Sequence, residues 1–352
     1  MKSMGKETPD LLFIMSVDTE EEWDWEGSFP QDKFSIRNTR RLPDFQQFCE
    51  SNGVRPTYFV DYPVASDPDA SSLLKQIAAD QRCELGAHLH PWANPPYYGA
   101  TGEFESHIVN LPIEQTEAKV DTLLDVFAHR LNVRPTAFRS GRWGISGPIL
   151  ELLRKRGFRI DSSMYPCYSN QYFDCQETPL SPYWPDFEAP SQPGHQRDVI
   201  EIPVTVGFNR RNQQAGRALY RGITKPALES FRIVGALWHS RILRKLYLSP
   251  EVMSGEEMQD LVNVAIKLKL PAIHMFMHSS SLIDHSKGML SCANAFETVT
   301  QNISELLEFA KRRANVQACT ISEAAALIQH RTSAREANTP TSALCDLHTA
   351  QN

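Results

Sequence analysis

A run of acidic residues follows directly after a mostly apolar stretch near the start of the chain. Asp18, Glu20, Glu21 and Glu22 come after residues 11–17. Such a run is most often a solvated loop. Asp18, however, stands where a strand should still be buried, and a buried carboxylate needs a partner, a proton or a metal ion.

Two histidines, His88 and His90, stand one residue apart at the end of another apolar stretch, residues 83–88. Neutral imidazole is the commonest metal ligand, and both rings reach one ion if the backbone turns between them. With a carboxylate from another strand, they complete a zinc set of the His₂–carboxylate kind that leaves one position open. A purely structural role for this histidine pair is an equal alternative.

Three further polar residues follow short apolar stretches. Arg139, followed closely by Gly141, can hold a carboxylate bidentately, unless it is a surface arginine on a turn. Asp161 is either a site residue or an ordinary helix N-cap or Asx-turn. His278 is a candidate general acid, whereas His274, at the start of the same stretch, is interpreted as structural.

Short apolar stretches alternate with segments of helical periodicity, which predicts an α/β fold with parallel strands. The candidate residues fall at the ends of predicted strands, where α/β barrels carry their catalytic groups. Strands are predicted at 11–17, 56–60, 83–88, 137–139, 158–160, 200–204 and 272–277. Helices are predicted at 39–52, 71–80, 113–131, 146–156, 254–268 and 295–313, with a last helix or turn at 320–328.

The length of 352 residues suits one large barrel with insertions. We predict a flexible N-terminus over residues 1–10 and a single barrel over residues 11–330. Two segments interrupt the alternation and are interpreted as insertions, an irregular one at 168–197 and a helical one at 210–250. The polar residues 331–352 are predicted to form a flexible C-terminal tail.

Charge and cysteine usage exclude several classes of protein. The net charge is −6 and no Lys/Arg-rich run occurs, which argues against nucleic-acid binding. The scattered basic residues between 210 and 245 fit a solvated helical face or, alternatively, a contact for an anionic substrate or a membrane surface. Seven cysteines without a CxxC pair argue against a thiolate zinc site and favour reduced thiols. A disulfide between Cys167 and Cys175 is a minor alternative.

The chain shows no export signal, and no apolar run is long enough to span a bilayer. A cytoplasmic location is therefore expected.

The strand-end motifs, taken in chain order, resemble those of the polysaccharide deacetylases, carbohydrate esterase family 4 with its NodB-homology domain. Residues 16–19 resemble the first motif, with Thr in place of its second acid, and residues 84–92 resemble a branch found with exopolysaccharide synthesis. Arg139, Asp161 and His278 match the third, fourth and fifth motifs. The resemblance covers about residues 11–325 and implies a distorted (β/α) barrel of about seven parallel strands.

The resemblance implies a metal-dependent enzyme that removes an N-acetyl group from an amino sugar or glycan precursor. Zn²⁺ or another divalent ion would bind His88, His90 and Glu20, with Asp18 as the alternative carboxylate ligand. In the family pattern the second motif ends on a histidine, where this chain has Trp92, so His90 is taken as its substitute.

The same resemblance assigns the catalytic groups. Asp18 is the general base, paired with Arg139, and His278 is the general acid, tuned by Asp161. A backbone N–H near Tyr165 is implied as an oxyanion contact.

Substrate contacts are expected from residues beside these motifs. Trp92, Trp143 and Tyr165 offer flat faces for sugar rings, although ordinary core or rim packing is at least as frequent for each alone. Arg142, next to Trp143, is a further candidate.

Two other functions are compatible with the same residues. One is a different C–N hydrolase on this fold, such as a deformylase of a lipid-linked formamido sugar or an amidase of cyclic ureides. The other is a catalytically decayed glycan-binding domain, against which the presence of both the acid and the base argues.

Overall fold

The computed structural model describes residues 9–25, 27–224 and 233–337. The strands are β1 (Asp10–Thr19), β2 (Thr57–Val60), β3 (Glu84–Leu89), β4 (Ala137–Ser140), β5 (Ile160–Asp161), β6 (Ile200–Glu201), β7 (Val206–Phe208), β8 (Lys245–Tyr247), β9 (Ala272–His278) and β10 (Asn315–Cys319). The helices are α1 (Leu42–Ser51), α2 (Tyr62–Ser66), α3 (Pro68–Ala78), α4 (Ile113–Val126), α5 (Gly147–Lys155), α6 (Gln213–Ile223), α7 (Ile233–His239), α8 (Gly255–Leu268), α9 (Ala295–Lys311) and α10 (Ile321–Ala337).

Within the described ranges, eight strands form one sheet in which every pair is parallel. β1 is its central strand, because β9 pairs along residues 12–18 of one edge. The other edge is shared by β10, which pairs with residues 10–14, and β2, which pairs with residues 16–19. From β2 the sheet continues through β3, β4 and β5 to β6.

The two ends of the sheet approach each other through the segment that follows β6. Thr205 N–H donates to the His274 carbonyl at 2.9 Å, and the His274 N–H donates to Thr205 Oγ1 at 2.8 Å. Irregular backbone therefore replaces a strand pair at this seam. The predicted distorted barrel is confirmed, with seven strands around it and β10 added beside the first half of β1.

The alternation of side chains along β1 divides the molecule into an outer and an inner core. Leu11, Phe13, Met15 and Val17 pack outward against the helices. Leu12 and Ile14 point into the barrel, where they join apolar residues of the neighbouring strands and of α10. Because the period of a strand is two, Ser16 and Asp18 continue the inward face. The barrel is thus filled by apolar side chains at its base and by polar ones at its C-terminal end.

Several elements differ from the sequence-based expectation. β10 was not predicted, and the supposed helical insertion at 210–250 contains α6, α7 and also β8, which pairs antiparallel with β7. The last helix continues to Ala337, beyond the start of the predicted tail, and β1 begins at Asp10. The remaining residues of the two predicted flexible ends, 1–8 and 338–352, lie outside the described residues.

Two simpler expectations can also be compared with the structure. Cys167 and Cys175 are free thiols, so the minor alternative of a disulfide between them is wrong. In the part of the chain that the structure describes, no helix has both the length and the apolar composition of a membrane span.

The loop that follows β3 is fixed by a buried cation. The ammonium of Lys119 on α4 donates to the carbonyls of Pro91, Asn94 and Pro96 at 2.8, 2.6 and 2.8 Å. Lys119 is only 3% exposed. The loop begins at the histidine pair, so this contact positions the residues at the end of β3.

We expect Lys119→Met to lower the free energy of unfolding by about 3 kcal/mol, because three buried carbonyls lose their donor. Urea denaturation measures this change. Lys267→Met is the matched control, since Lys267 is exposed on α8 and its loss should change stability by less than about 0.5 kcal/mol. Equal stability of the two variants would contradict the structural role of Lys119.

Candidate active site

Polar side chains from three strands meet at the C-terminal end of the barrel. Asp18 ends the inward face of β1, Arg139 lies on β4 and His278 ends β9. All three are buried, with exposures of 2%, 0% and 6%. Their convergence follows from parallel pairing, which brings the C-terminal ends of the strands to one side.

Glu20 and the two histidines of β3 and its loop form a compact group. Glu20 Oε2 lies 3.1 Å from His88 Nε2 and 3.3 Å from His90 Nε2. One ligand atom from each residue lies within 4.8 Å of the others. Gly141 leaves room for the His90 ring in this group, because a Cβ at position 141 would overlap that ring.

A second carboxylate, that of Glu21, contacts the His90 ring nitrogen that does not face Glu20 and so orients the ring. His90 Nδ1 lies 3.0 Å from both carboxylate oxygens of Glu21, and the Trp92 indole N–H donates to Glu21 Oε1 at 2.8 Å. The Asp61 carboxylate accepts the Glu21 backbone N–H at 2.9 Å. When Nδ1–H donates to Glu21, Nε2 of His90 carries the lone pair and faces Glu20. Histidines that ligate metals are commonly held by a carboxylate in this way.

The donor set fits a divalent cation. Burial raises the pKa of Glu20 to about 8, although His278 and His90 act in the opposite direction. Burial also lowers the pKa of His88 well below its ordinary value, so that ring is neutral. A buried carboxylate facing an imidazole lone pair is costly without a cation or a proton between them. The Nδ1 atom of His88 is also buried without a hydrogen-bond partner in the described residues.

Asp18 is held by Arg139 and takes no part in that donor group. Arg139 Nη1 donates to Asp18 Oδ1 at 2.5 Å. The rest of the guanidinium donates to the backbone and hydroxyl oxygens of Ser162 at 3.1 and 2.9 Å and lies 4.3 Å from the Phe59 ring centroid. The second carboxylate oxygen, Asp18 Oδ2, therefore faces the centre of the site.

His278 stands opposite Asp18 and is paired with Glu251. Its Nδ1 lies 2.7 Å from Glu251 Oε1, and its Nε2 lies 3.9 Å from Asp18 Oδ2. Ser281 Oγ and the His278 backbone N–H both donate to Glu251 Oε2. Burial alone lowers the pKa of His278, but Glu251, Glu20 and Asp18 outweigh it and raise that pKa to about 10. His278 is therefore a cation at neutral pH.

No contact joins Asp161 to this histidine among the described residues, although the resemblance implies that the two are partners. Its carboxylate accepts the Ser163 hydroxyl at 2.6 Å. Burial raises the pKa of Asp161. Burial and the neighbouring charge of Asp161 also raise the pKa of Glu201 well above its ordinary value. Among the described residues Glu251, and not Asp161, contacts His278, because the segment after β8 reaches that side of the site.

The four residues expected to bind substrate fall into three environments. Trp92 is completely buried and stacks on His90 at 4.2 Å, so its ring cannot serve as an open face for a sugar. Arg142 donates to Glu103 Oε2 and Ser106 Oγ, both at 2.8 Å. Trp143 and Tyr165 are partly exposed and stack on each other at 4.7 Å.

Sequence reasoning missed Glu251, Glu21 and Asp61 as members of the site. Glu251 follows the apolar residues 246–248, and this apolar stretch was the signal that could have marked another strand end. Glu21 was noted only as part of the acid run. Asp61 directly follows β2, so it shares the position that drew attention to Asp18 and Asp161.

Comparison with solved structures shows what this fold is similar to. A protein assigned as a polysaccharide deacetylase from Mycobacterium smegmatis aligns with a TM-score of 0.52 over 94% of this chain and 93% of its own, at 12% identity. A protein assigned as a glycoside hydrolase/deacetylase from Parabacteroides distasonis aligns with a TM-score of 0.58 over 92% and 72%, at 10% identity. No family model and no curated protein matches the sequence. The chain therefore has the fold of the deacetylases, as the resemblance implied.

We expect the protein to bind about one Zn²⁺ ion per chain, because the group offers three ligands and an open position. Glu20→Gln and His88→Ala should each weaken Zn²⁺ binding at least about a hundredfold. Even the loss of a residue that only hydrogen-bonds to a metal ligand lowers metal affinity by about 10- to 100-fold. Calorimetric titration of the metal-free protein measures this. His129→Ala, at an exposed histidine, is the control. Unchanged affinity in Glu20→Gln would exclude this group as the metal site.

Proposed function

We propose that this protein is a metal-dependent hydrolase of the polysaccharide deacetylase family that removes an N-acetyl group from an amino sugar. One observation carries the proposal. A Glu–His–His donor group, a carboxylate held by a buried arginine and a protonated histidine lie together at the C-terminal end of a deacetylase-like barrel. Each group alone has a structural explanation, whereas the set matches the needs of amide hydrolysis.

Glu20, His88 and His90 would hold the metal ion, which we propose to be Zn²⁺ or another divalent cation. When bound there, such an ion supplies Lewis acidity toward a carbonyl oxygen and makes water more acidic. Asp18 is not needed as a ligand, because Arg139 already compensates its charge.

Asp18 acts as the general base. Its Oδ1 is occupied by Arg139, which fixes the carboxylate, and Oδ2 accepts the proton of the attacking water. The water oxygen then bonds to the carbonyl carbon of the acetamide. Because Arg139 is completely buried, its rotamer is fixed and the direction of Oδ2 is set before substrate binds.

His278 acts as the general acid. Glu251 keeps the imidazole protonated, and Nε2 donates that proton to the sugar nitrogen as the C–N bond breaks. The products are acetate and a free amine. His278 Nε2 and Asp18 Oδ2 lie 3.9 Å apart, so the acid and the base can contact neighbouring atoms of one acetamide group.

Aromatic rings border the polar groups and suit a sugar. The Trp143 indole lies 5.3 Å from the Arg139 guanidinium and stacks on Tyr165. On the other side, Trp25 is 36% exposed and meets the His278 ring edge-on at 5.3 Å. We propose that these partly exposed faces, and not Trp92, contact the sugar ring.

We expect Asp18→Asn to reduce kcat for acetate release by roughly 10²- to 10⁴-fold, because the amide cannot accept the proton of water. Acetate release from N-acetylglucosamine oligomers and monomers is the measurement, with bound Zn²⁺ and circular dichroism determined on the same samples. Asp198→Asn, at a carboxylate with 57% side-chain exposure, is the control. Full activity of metal-free wild-type protein would refute the metal-dependent reaction.

We expect Glu251→Gln to move the alkaline limb of the kcat profile to lower pH. His278 donates its proton only below its pKa, which Glu251 helps raise to about 10, so loss of that charge lowers the pH at which the acid form disappears. Glu256→Gln, at an exposed carboxylate on α8, should leave the profile unchanged. An identical alkaline limb in Glu251→Gln and wild type would remove Glu251 from this role.

A further inference from the structure

A cavity with a cationic lining lies near the candidate active site, on the side of Tyr165 and Tyr247. It has a volume of about 380 Å³ and is bordered by β8, α6 and the segment that begins at Cys167. Its charged lining residues are Lys245, Arg217 and Arg221, and its lining tyrosines are Tyr168, Tyr220 and Tyr247. The volume falls in the ordinary range of small-ligand sites.

Lys245 is the most unusual residue of this cavity. It is 7% exposed, and its ammonium lies between three tyrosine rings, 5.4 to 5.9 Å from their centroids. No carboxylate pairs with it in the part of the chain that the structure describes. A buried ammonium is expensive unless an anion compensates it, so the cavity is built to receive negative charge.

Two arginines of α6 add to this charge. Arg217 and Arg221 approach the same carboxylate, Glu177, at 3.2 and 3.4 Å. The Nε–H of Arg217 is buried and has no hydrogen-bond partner among the described residues. Three cations thus share one described carboxylate, although the whole chain has a net charge of −6. The excess of cations at this cavity therefore does not follow from the composition of the whole chain.

Stacked rings connect the cavity to the catalytic groups. Arg139 lies 5.3 Å from Trp143, which stacks on Tyr165 at 4.7 Å. Tyr165 stacks in turn on Tyr247 at 6.0 Å, and Tyr247 lies 5.4 Å from the Lys245 ammonium. These four successive contacts of 4.7 to 6.0 Å exceed the length of one sugar ring. A substrate of at least two rings lying along them would place its acetamide beside Asp18 and its phosphorylated end among the cations.

We propose that the cavity around Lys245 and Arg217 binds a phosphate group attached to the amino sugar substrate. The inference rests on the proposed function, whose substrate class it narrows to phosphorylated amino sugars. Phosphate carries more charge and more acceptor oxygens than a carboxylate, which matches several cationic donors better than a uronic acid does. The phosphate of a free sugar phosphate, a nucleotide sugar or a lipid-linked sugar has the same chemistry.

The first experiment tests the cavity without using catalysis. Pyrophosphate is titrated calorimetrically into the metal-free protein, which prevents binding at the proposed metal site. We expect saturable binding that weakens roughly tenfold in Lys245→Met and in Arg221→Gln, because each removes one charged contact. Arg221 has 60% side-chain exposure, so its replacement keeps the test informative if Lys245→Met fails to fold. Lys267→Met should bind as wild type does.

The second experiment tests the connection to the reaction. The kcat/KM for acetate release is compared between di-N-acetylchitobiose and its 1-phosphate, in which the phosphate lies one sugar ring away from the first acetamide. The preference for the phosphate should fall roughly tenfold in Lys245→Met. A UDP-linked sugar and a polyprenyl diphosphate-linked sugar in detergent micelles, used as further substrates, distinguish the source of the phosphate. Lys267→Met should retain the wild-type preference.

The two proposals can fail separately. Acetate release without any preference for phosphate, together with no pyrophosphate binding, would overturn this inference and leave the deacetylase proposal in place. Pyrophosphate binding that depends on Lys245, in a protein that releases no acetate from any of the four substrates, would support the anion site and count against the proposed reaction.

Discussion

The charge of one completely buried guanidinium organises the C-terminal end of this barrel. Arg139 has no access to solvent, so its charge must be compensated inside the protein. Asp18 supplies the opposite charge, Ser162 supplies neutral acceptors, and the Phe59 face covers the guanidinium. The neighbouring His274 is neutral, because burial and Arg139 lower its pKa to about 3. The arrangement fixes one oxygen of Asp18 and leaves the other directed toward the site.

Two buried histidine–carboxylate pairs lie on either side of that salt bridge, and their different surroundings give them different chemistry. Glu21 accepts a hydrogen bond from the Trp92 indole and contacts His90 Nδ1, so it orients the His90 ring toward Glu20. Glu251 pairs with His278 in a setting where further carboxylates also favour the cation. The first pair suits a metal ligand and the second suits a proton donor. The same two residue types thus serve both halves of the proposed reaction.

The short antiparallel pair of β7 and β8 has a larger role than its size suggests. Glu251, four residues after β8, reaches His278, and Lys245 within β8 enters the cationic cavity. The proposed phosphate contact therefore lies within the insertion at 210–250, and the partner of the proposed acid lies directly after it. This link offers a physical reason why such an insertion could change substrate preference without altering Asp18 or Arg139, which lie on β1 and β4.

The apolar stretches of the sequence were enough to predict the seven barrel strands, and the position of Asp18 after residues 11–17 indicated that its carboxylate is buried. The sequence also indicated Arg139, His88, His90 and His278 as strand-end residues, because their types stand out against apolar neighbours. Which of these groups meet depends on how distant segments pack together. Glu251 and not Asp161 contacts His278, and Trp92 donates to Glu21, because these contacts join segments far apart in the chain that no local pattern encodes. Strand β10 was missed for the same reason. Its residues are mostly exposed or half-buried, and the segment is recognisable as a strand only from its pairing with β1.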